Sequence, residues 1–263
     1  RLIAVRDEGG RLIGLAPLFL GQVSADAAEP VPDLSFERPV PRPSAAWHTA
    51  LLLVGGTEVS DYLDFIVERE SGPAVYRLIF ETLQAMPEWE WIDLHCLPED
   101  SPTPALLGDQ ARAAGWSTAL VREDVCPVIE LPATWEEYLR SLSRKDRHEL
   151  RRKMRKAEQS GLMRVTRVSD PATLQTSLES FMALHEASTP DKADFMQDPR
   201  MRRFFGLVAR AALDNGWLDL TFLDFEGRQA ATMFCFRYRD AFMVYNSGFD
   251  PRAWLSYSPG IVL

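Results

Sequence analysis

The sequence predicts an α/β protein of the α+β kind, built from two consecutive units, each a mixed and largely antiparallel sheet flanked by helices. Strand-like apolar runs and segments with apolar residues at helical spacing occur in both halves, in a similar order. Near the middle, Pro132 precedes a helix-start sequence, and the order of parts begins again there. We therefore expect one domain at residues 1–131 and a second at residues 132–263. The chain starts at Arg1 rather than at Met and stops at Leu263, directly after a turn signal. We therefore expect a fragment of a longer protein, in which both domains are incomplete.

The composition is that of a soluble globular protein. The 263 residues are 46% hydrophobic and 25% charged, and no run of about 18 apolar residues is present that could span a membrane. The net charge of −9 excludes a surface that is basic all over, so any binding to a polyanion has to be local. Three cysteines, Cys96, Cys126 and Cys235, lie far apart without a C-x-x-C spacing. This pattern predicts reduced thiols in a cytoplasmic protein and no metal site.

The first half opens with the clearest hairpin signal in the chain. Two apolar runs, residues 2–5 and 12–20, are joined by an Asp-Glu-Gly-Gly turn and predict two adjacent antiparallel strands. Five prolines within residues 25–44 are incompatible with a helix or a central strand, so that stretch is predicted to be a loop. His95 and Cys96 are neighbours at the end of a predicted strand, where neighbouring side chains point to opposite faces, so we interpret them as structural. Further strands are predicted at residues 51–54, 91–94, 117–121 and 128–131, and helices at residues 60–67, 74–86 and 104–114.

In the second half, helices are predicted from start signals at Thr134, Asp170 and Asp198. One strand is predicted between the first two of these helices, at residues 163–168. Alternating stretches separated by two-residue turns then predict an antiparallel meander of strands at residues 217–225, 229–238 and 241–245. Pro259-Gly260 predicts the start of one more helix.

A basic segment in this acidic chain calls for an explanation. Eight of the thirteen residues 144–156 are Lys or Arg, and Ser143 with Asp146 has the spacing of a capping box, which predicts a helix at residues 143–160. Two interpretations stay open, a solvated helix face or a polyanion site, because Arg binds phosphate through two parallel hydrogen bonds. The candidate polyanion ligands are Arg144, Lys145, Arg151, Arg152 and Arg155.

Four sequence motifs stand in a fixed order in the second half: LSRKDRHELRRKMRKAEQSG, FMALHEAS, LDFEGRQAA and YNSGFDPRAWLSYSPG. Together they resemble the acetyltransferase domain of the CelD/BcsL-like proteins, which belong to the GNAT superfamily and are related to the Fem-type aminoacyl transferases. Those proteins carry two GNAT-like domains in tandem, and the opening DEGGRLIGLAPLFL with DYLDF is similar to the first of them. The chain departs from ordinary acetyltransferases in one motif. Their pyrophosphate loop, Gln/Arg-x-x-Gly-x-Gly/Ala, is not matched, since residues 256–260 contain one glycine.

The resemblance implies transfer of an acyl group, expected to be acetyl, from acyl-coenzyme A to an amine on a small molecule or saccharide. Two alternatives remain: a Fem-like transferase that uses aminoacyl-tRNA and binds RNA through the basic helix, or a non-catalytic scaffold. Acyl transfer requires a backbone oxyanion donor, a base for the ammonium proton and an acid for the leaving group. Tyr245, at the end of the last predicted strand, is the candidate acid, and His185 and Asp250 are candidate bases; otherwise the first two pack in the core and Asp250 is a turn residue. The candidate cofactor-binding residues are Ser247, Ser256, Tyr257, Ser258 and Gly260.

Overall fold

The computed structural model describes residues 1–24, 47–55 and 59–263, which form two compact units, Arg1–Ile129 and Glu130–Leu263. Each unit has a β-sheet with helices packed against it, so the predicted fold class is confirmed. The domain boundary predicted after residue 131 stays a prediction. The proline-rich loop predicted at residues 25–44 lies outside the described residues.

The described part of the first unit contains a five-stranded sheet and two α-helices. The elements are β1 (Leu2–Arg6), β2 (Leu12–Ser24), β3 (Trp47–Leu53), β4 (Ile66–Val67), α1 (Gly72–Ala85), β5 (Trp91–Asp93) and α2 (Thr103–Ala113). The strand order is β1-β2-β3-β5, with β4 beside β2. Strands β3 and β5 are parallel, and the other pairs are antiparallel. Helix α1 covers the sheet with Val75, Ile79 and Leu83, whose spacing of four places them on one buried stripe.

The helix predicted at residues 60–67 is wrong, because Ile66 and Val67 form strand β4. Just before it, the carboxylate of Asp64 accepts hydrogen bonds from the Phe65 N–H at 2.8 Å and from the Thr103 hydroxyl at 2.5 Å. An Asp side chain bonded to the adjacent backbone competes with helix formation, and the periodicity of the apolar residues does not reveal this.

The strands predicted at residues 117–121 and 128–131 are also absent from the described structure. Both segments contain apolar residues, but Leu120, Val128 and Leu131 are more than half exposed. A strand is stabilised by pairing with a neighbour, and among the described residues neither segment is paired.

The second unit contains a four-stranded antiparallel sheet in the order β6-β7-β8-β9. Its elements are α3 (Trp135–Ser141), α4 (Arg144–Gln159), β6 (Met163–Arg167), α5 (Leu174–Ser188), α6 (Pro190–Gln197), α7 (Pro199–Asp214), β7 (Leu218–Phe225), β8 (Arg228–Tyr238), β9 (Ala241–Phe249) and α8 (Pro259–Val262). The predicted starts of α3, α4 and α7 are confirmed, and at each of them a side chain caps the helix. Thr134 caps α3, Ser143 caps α4 and Asp198 caps α7 through side-chain oxygens that accept main-chain N–H groups.

Helices lie on both faces of this sheet. On one face, Phe181 of α5 and Phe205 of α7 pack on Phe222 and Phe234 of the central strands. On the other face, Ala157 of α4 packs with Leu223, Phe225 and partners from the end of the chain. Phe222 and Leu223 are neighbours in sequence and reach opposite cores, because successive side chains of a strand alternate between its faces.

Strand β9 is longer than predicted. It runs to Phe249, so the prediction that the last strand ends at Tyr245 is wrong. Asn246, Ser247 and Gly248 look like turn residues, yet they pair in register with Phe234, Met233 and Thr232 of β8. Pairing with a long neighbouring strand overrides the local turn preference of these residues.

Candidate active site

An open cleft of about 480 Å³ lies where α4 meets the loop that follows β9. The ammonium group of Lys156 donates a hydrogen bond to the carbonyl oxygen of Ser256 at 2.7 Å and lies 5.4 Å from the centre of the Tyr257 ring. Tyr257 in turn stacks on Phe225 at 4.9 Å between ring centres, which fixes the loop on the sheet. The residues lining the cleft are Arg152, Arg155, Lys156, Gln159, Ser160 and Tyr257.

The cations of α4 fall into two groups. Arg151 bonds to Glu136 at 2.6 Å, and Arg152 makes a two-point contact with Glu149 at 2.9 and 2.8 Å. The Arg152 guanidinium lowers the pKa of the Glu149 carboxyl to about 2. In contrast, the part of the chain that the structure describes contains no ion pair for Arg144, Lys145 or Arg155. Only Arg152 and Arg155 of the predicted polyanion ligands line the cleft.

The loop at residues 254–260 has an unusual backbone. Trp254 (φ 61°) and Ser258 (φ 53°) adopt the left-handed conformation, which costs a non-glycine residue on the order of 1 kcal/mol. The carbonyl of Ser258 accepts the N–H groups of Ile261 and Val262, so α8 starts at Pro259 as the sequence predicts. Gly260 does not have a positive φ, so its backbone conformation does not require glycine. A methyl group at this position would lie 3.5 Å from the Phe249 ring, an ordinary van der Waals contact.

A bulge in β9 places Tyr245 and its neighbour on the same side of the sheet. The register with β8 shifts between Phe234 and Cys235, whose partners are Asn246 and Val244, so Tyr245 is the extra residue. The Tyr245 ring contacts Phe205 and Phe234, with ring centres 5.7 and 5.9 Å apart, and Asn246 also faces the helices. Two successive side chains reach one face because the bulge interrupts the alternation of the strand. Tyr245 therefore lies within β9 rather than at its end, half-buried beside the aromatic core.

His185 of α5 is almost completely buried, and its Nε2 lies 2.8 Å from the Asn246 amide oxygen. Its Nδ1 has no hydrogen-bond partner among the described residues. Burial lowers the pKa of His185 below its usual value, so the ring is neutral at pH 7. A neutral imidazole that donates through Nε2 presents a lone pair at Nδ1.

Asp250 follows β9 and accepts the N–H of Arg252 at 2.9 Å, as in a turn. This main-chain donor is the largest influence on Asp250 and lowers the pKa of the carboxyl. A carboxylate stabilised in its charged form is a weaker base, so the geometry favours a turn role over proton abstraction.

Three residues that the sequence did not single out surround the end of β9. Lys192 of α6 donates to the Ser247 carbonyl at 2.6 Å, and the Ser188 hydroxyl accepts the N–H of Phe249 at 2.8 Å. Gly248 lies directly against the backbone of α5. No local signal could have identified these contacts, since each joins residues more than fifty positions apart.

His95 and Cys96 lie in the first unit, where His95 is bonded on both sides. Its Nε2 lies 3.0 Å from an Asp93 oxygen and its Nδ1 bonds to Glu123. The hydrogen bond with Asp93 is the larger and that with Glu123 the smaller of two effects that raise the pKa of His95 to about 10. Burial raises the pKa of the Cys96 thiol to about 11. An imidazole that is charged and a thiol that is protonated at pH 7 fit the structural interpretation of this pair.

Within the described ranges, no cluster of three or more His, Cys, Asp or Glu side chains is arranged to hold a metal ion. In residues 1–24, 47–55 and 59–263, none of the helices combines the length and the apolar character of a membrane-spanning segment.

Comparison with known proteins identifies the class of the second unit. Residues 144–263 match the family described as acetyltransferase (GNAT) domain. The solved structure described as the crystal structure of FemX is similar to the whole chain, with a TM-score of 0.53 and 14% identity over 100% of this chain and 73% of that chain. None of the curated proteins matches. The second unit therefore matches a GNAT acetyltransferase domain, and the chain has a fold similar to that of FemX, which confirms the resemblance drawn from the motifs at this level.

Proposed function

We propose that the protein is an N-acyltransferase that moves an acyl group, in our view acetyl, from acyl-coenzyme A to an amine on a small molecule or saccharide. The match of residues 144–263 to a GNAT acetyltransferase domain supports acyl transfer in general. One observation carries the finer proposal. Two segments about a hundred residues apart, α4 and the loop at residues 254–260, meet at a single basic cleft, with Lys156 bonded to Ser256.

In this proposal the cleft holds the phosphates of the donor. Arg155 has no ion-pair partner among the described residues, and Lys156 and Arg152 lie beside it, so three cations converge on one open volume. Phosphate binds guanidinium and ammonium groups through charge-assisted hydrogen bonds. Of the candidate loop residues, Tyr257 lines the cleft and the Ser256 carbonyl binds Lys156, while Ser258 and Gly260 lie at the start of α8.

The chemistry is proposed for the outer edge of β9. Asp250 donates its N–H to Ala230 of β8, and antiparallel pairs alternate, so the N–H of Ser247 points away from β8. An outward N–H there can bind the oxygen of the thioester carbonyl as it becomes negatively charged. The amine nitrogen forms a bond to the carbonyl carbon, the carbon–sulfur bond breaks, and the ammonium loses a proton while the sulfur gains one.

Tyr245 is the proposed acid for the sulfur and His185, whose pKa is lowered by burial, is the proposed base. Asp250 is the weaker base candidate, because its pKa is lowered and its side chain is bonded within a turn.

The free cations of α4 also suit the alternative, a Fem-like transferase that binds aminoacyl-tRNA. Arg144 and Lys145 lie at the start of α4, do not line the cleft and have no ion-pair partner among the described residues. RNA follows a surface over many phosphates, so it would use cations at both ends of α4, whereas coenzyme A would use those of the cleft alone.

The test compares two charge reversals on the same helix. Arg155→Glu should weaken acetyl-coenzyme A binding about 10- to 100-fold, the loss expected for a charge-assisted contact, while Arg144→Glu should leave it unchanged. Calorimetry measures both, and thiol release in the presence of a panel of amines, followed by mass spectrometry of the products, measures transfer. Equal loss of tRNA binding in both variants, with no binding of acetyl-coenzyme A, would favour the Fem-like alternative. Tight binding without any acylated product would favour a scaffold.

A further inference from the structure

Helices α5 and α6 contact the outer edge of β9 at the Ser247 carbonyl and at the main-chain groups of Phe249. Because Gly248 faces Thr232 in a hydrogen-bonded pair, the main-chain groups of Ser247 and Phe249 point away from β8. Unpaired groups on a sheet edge attract other strands unless they are covered. Here side chains from the helices bind the Ser247 carbonyl and the Phe249 N–H.

Two polar side chains make these edge contacts. The Ser188 hydroxyl accepts the Phe249 N–H at 2.8 Å and lies 2.9 Å from the Leu184 carbonyl, at the last turn of α5. The Lys192 ammonium donates to the Ser247 carbonyl at 2.6 Å. The two contacts fix residues on either side of Gly248.

The backbone of α5 lies unusually close to this part of β9. A methyl group built on Gly248 would come within 2.5 Å of the His185 nitrogen and 2.6 Å of the Leu184 carbonyl carbon. The contact is therefore backbone against backbone, and the side chain of His185 reaches Asn246 at the same level. Gly248 therefore lies directly against α5, while the Ser247 carbonyl beside it is bound by Lys192 of α6.

Lys192 is an uncommon choice for a structural contact. It is half-buried, burial lowers its pKa, and among the described residues no carboxylate pairs with it. His185, which interacts with Lys192, is neutral. A cation without a counterion is costly to desolvate, so the contact with a neutral carbonyl calls for an explanation beyond stability.

We propose that Lys192 is a positioning residue for acyl transfer, which holds the Ser247 carbonyl so that the Ser247 N–H faces the thioester oxygen. This inference rests on the proposed function. The geometry assigns Lys192 a role through Ser247 alone, and no contact of Lys192 with either substrate is needed. A displacement of about 1 Å at such a donor reduces turnover on the order of 100-fold.

The test exploits a matched pair of lysines, since Lys156 makes the same kind of contact with a main-chain carbonyl in the cleft. Lys192→Met should lower kcat about 10- to 100-fold with little change in KM for acetyl-coenzyme A. Lys156→Met should raise KM and keep kcat, because it belongs to the phosphate cleft. Arg210→Met, which removes an exposed pair with Asp214 on α7, is the surface control. Lys192→Arg, which keeps the donor, should recover most of the lost turnover.

Amide hydrogen exchange gives a second readout that does not depend on turnover. In Lys192→Met, peptides covering residues 246–249 should exchange faster, whereas Lys156→Met should leave them unchanged. If wild-type protein turns over and Lys192→Met keeps both its kcat and its slow exchange, the role of Lys192 is refuted. If wild-type protein acylates no amine in the panel, the proposed function itself fails, and with it the catalytic part of this inference.

Discussion

Replacing Gly248 by Ala tests the packing on which the candidate site depends. The added methyl group would lie 2.5 Å from the His185 nitrogen and 2.7 Å from its Cα, closer than real Cβ atoms approach other atoms. Both neighbours belong to the backbone of α5, so no side chain can rotate away. Either α5 or β9 has to move by close to 1 Å.

The expected loss of stability follows from these contacts. Overpacking in a well-packed interior costs about 1–3 kcal/mol, and weakening the bonds His185–Asn246 and Ser188–Phe249 adds roughly 1 kcal/mol. Gly248→Ala should therefore lower the free energy of unfolding by about 2–4 kcal/mol. Gly206→Ala is the matched control, because nothing lies within 4 Å of a methyl group there and the residue is inside α7. It should stabilise the protein by about 0.5–1 kcal/mol through helix propensity.

Urea denaturation followed by tryptophan fluorescence measures both changes, since Trp217 and Trp254 lie in the second unit. A Gly248→Ala variant that unfolds at the wild-type midpoint with an unchanged slope would refute the close approach of α5 and β9. That result would also mean that the contact between α5 and Gly248 does not help to hold the neighbouring Ser247 in place.

The remaining predictions concern two titratable residues. His95 has a pKa of about 10 in the folded protein and close to 6.5 when unfolded, so its bonds to Asp93 and Glu123 stabilise the fold fully below pH 6.5 and progressively less up to pH 10. Its side chain is one-third exposed, so solvent screening reduces the stabilisation to on the order of 1–2 kcal/mol. The free energies of unfolding of His95→Gln and wild type, compared at pH 6 and at pH 10, measure this stabilisation. An equal difference between the two proteins at both pH values would contradict the prediction. Tyr245→Phe should keep the fold, because the ring contacts survive, and should lower kcat at least 100-fold if the hydroxyl protonates the leaving sulfur. Wild-type turnover by this variant would leave Tyr245 with a packing role alone.

Much of the fold could be predicted because local chemistry decides it. Ser143 and Asp146 lie three residues apart, and their capping contacts start α4 where the sequence indicates. Periodicity similarly located α1, α5 and α7. The failures occurred where a distant partner decided the outcome, as in residues 246–248, whose turn-forming sequence Asn-Ser-Gly is held in a strand by β8. There the small side chain of Gly248 serves the approach of α5 rather than a turn.

The candidate site was less predictable for the same physical reason. The sequence identified α4 as basic, but it could not separate Arg151, which is neutralised by Glu136, from Arg155, which has no ion-pair partner among the described residues. That difference depends on which carboxylates the fold brings near each guanidinium. Lys192 shows the same limit, since its contact with Ser247 spans 55 positions and has no local signature.

Cations in this unit therefore have to be ranked by what surrounds them rather than by how many there are. A charge paired at the surface, as in Arg210 with Asp214, contributes little to stability and is partly neutralised toward an anion. A charge in an open cleft without a counterion, as in Arg155, keeps its full attraction for phosphate. A charge that is half-buried against a neutral carbonyl, as in Lys192, is costly to maintain and offers little to a ligand outside. These three environments predict three different results for the same substitution to Met: unchanged activity, a raised KM and a lowered kcat.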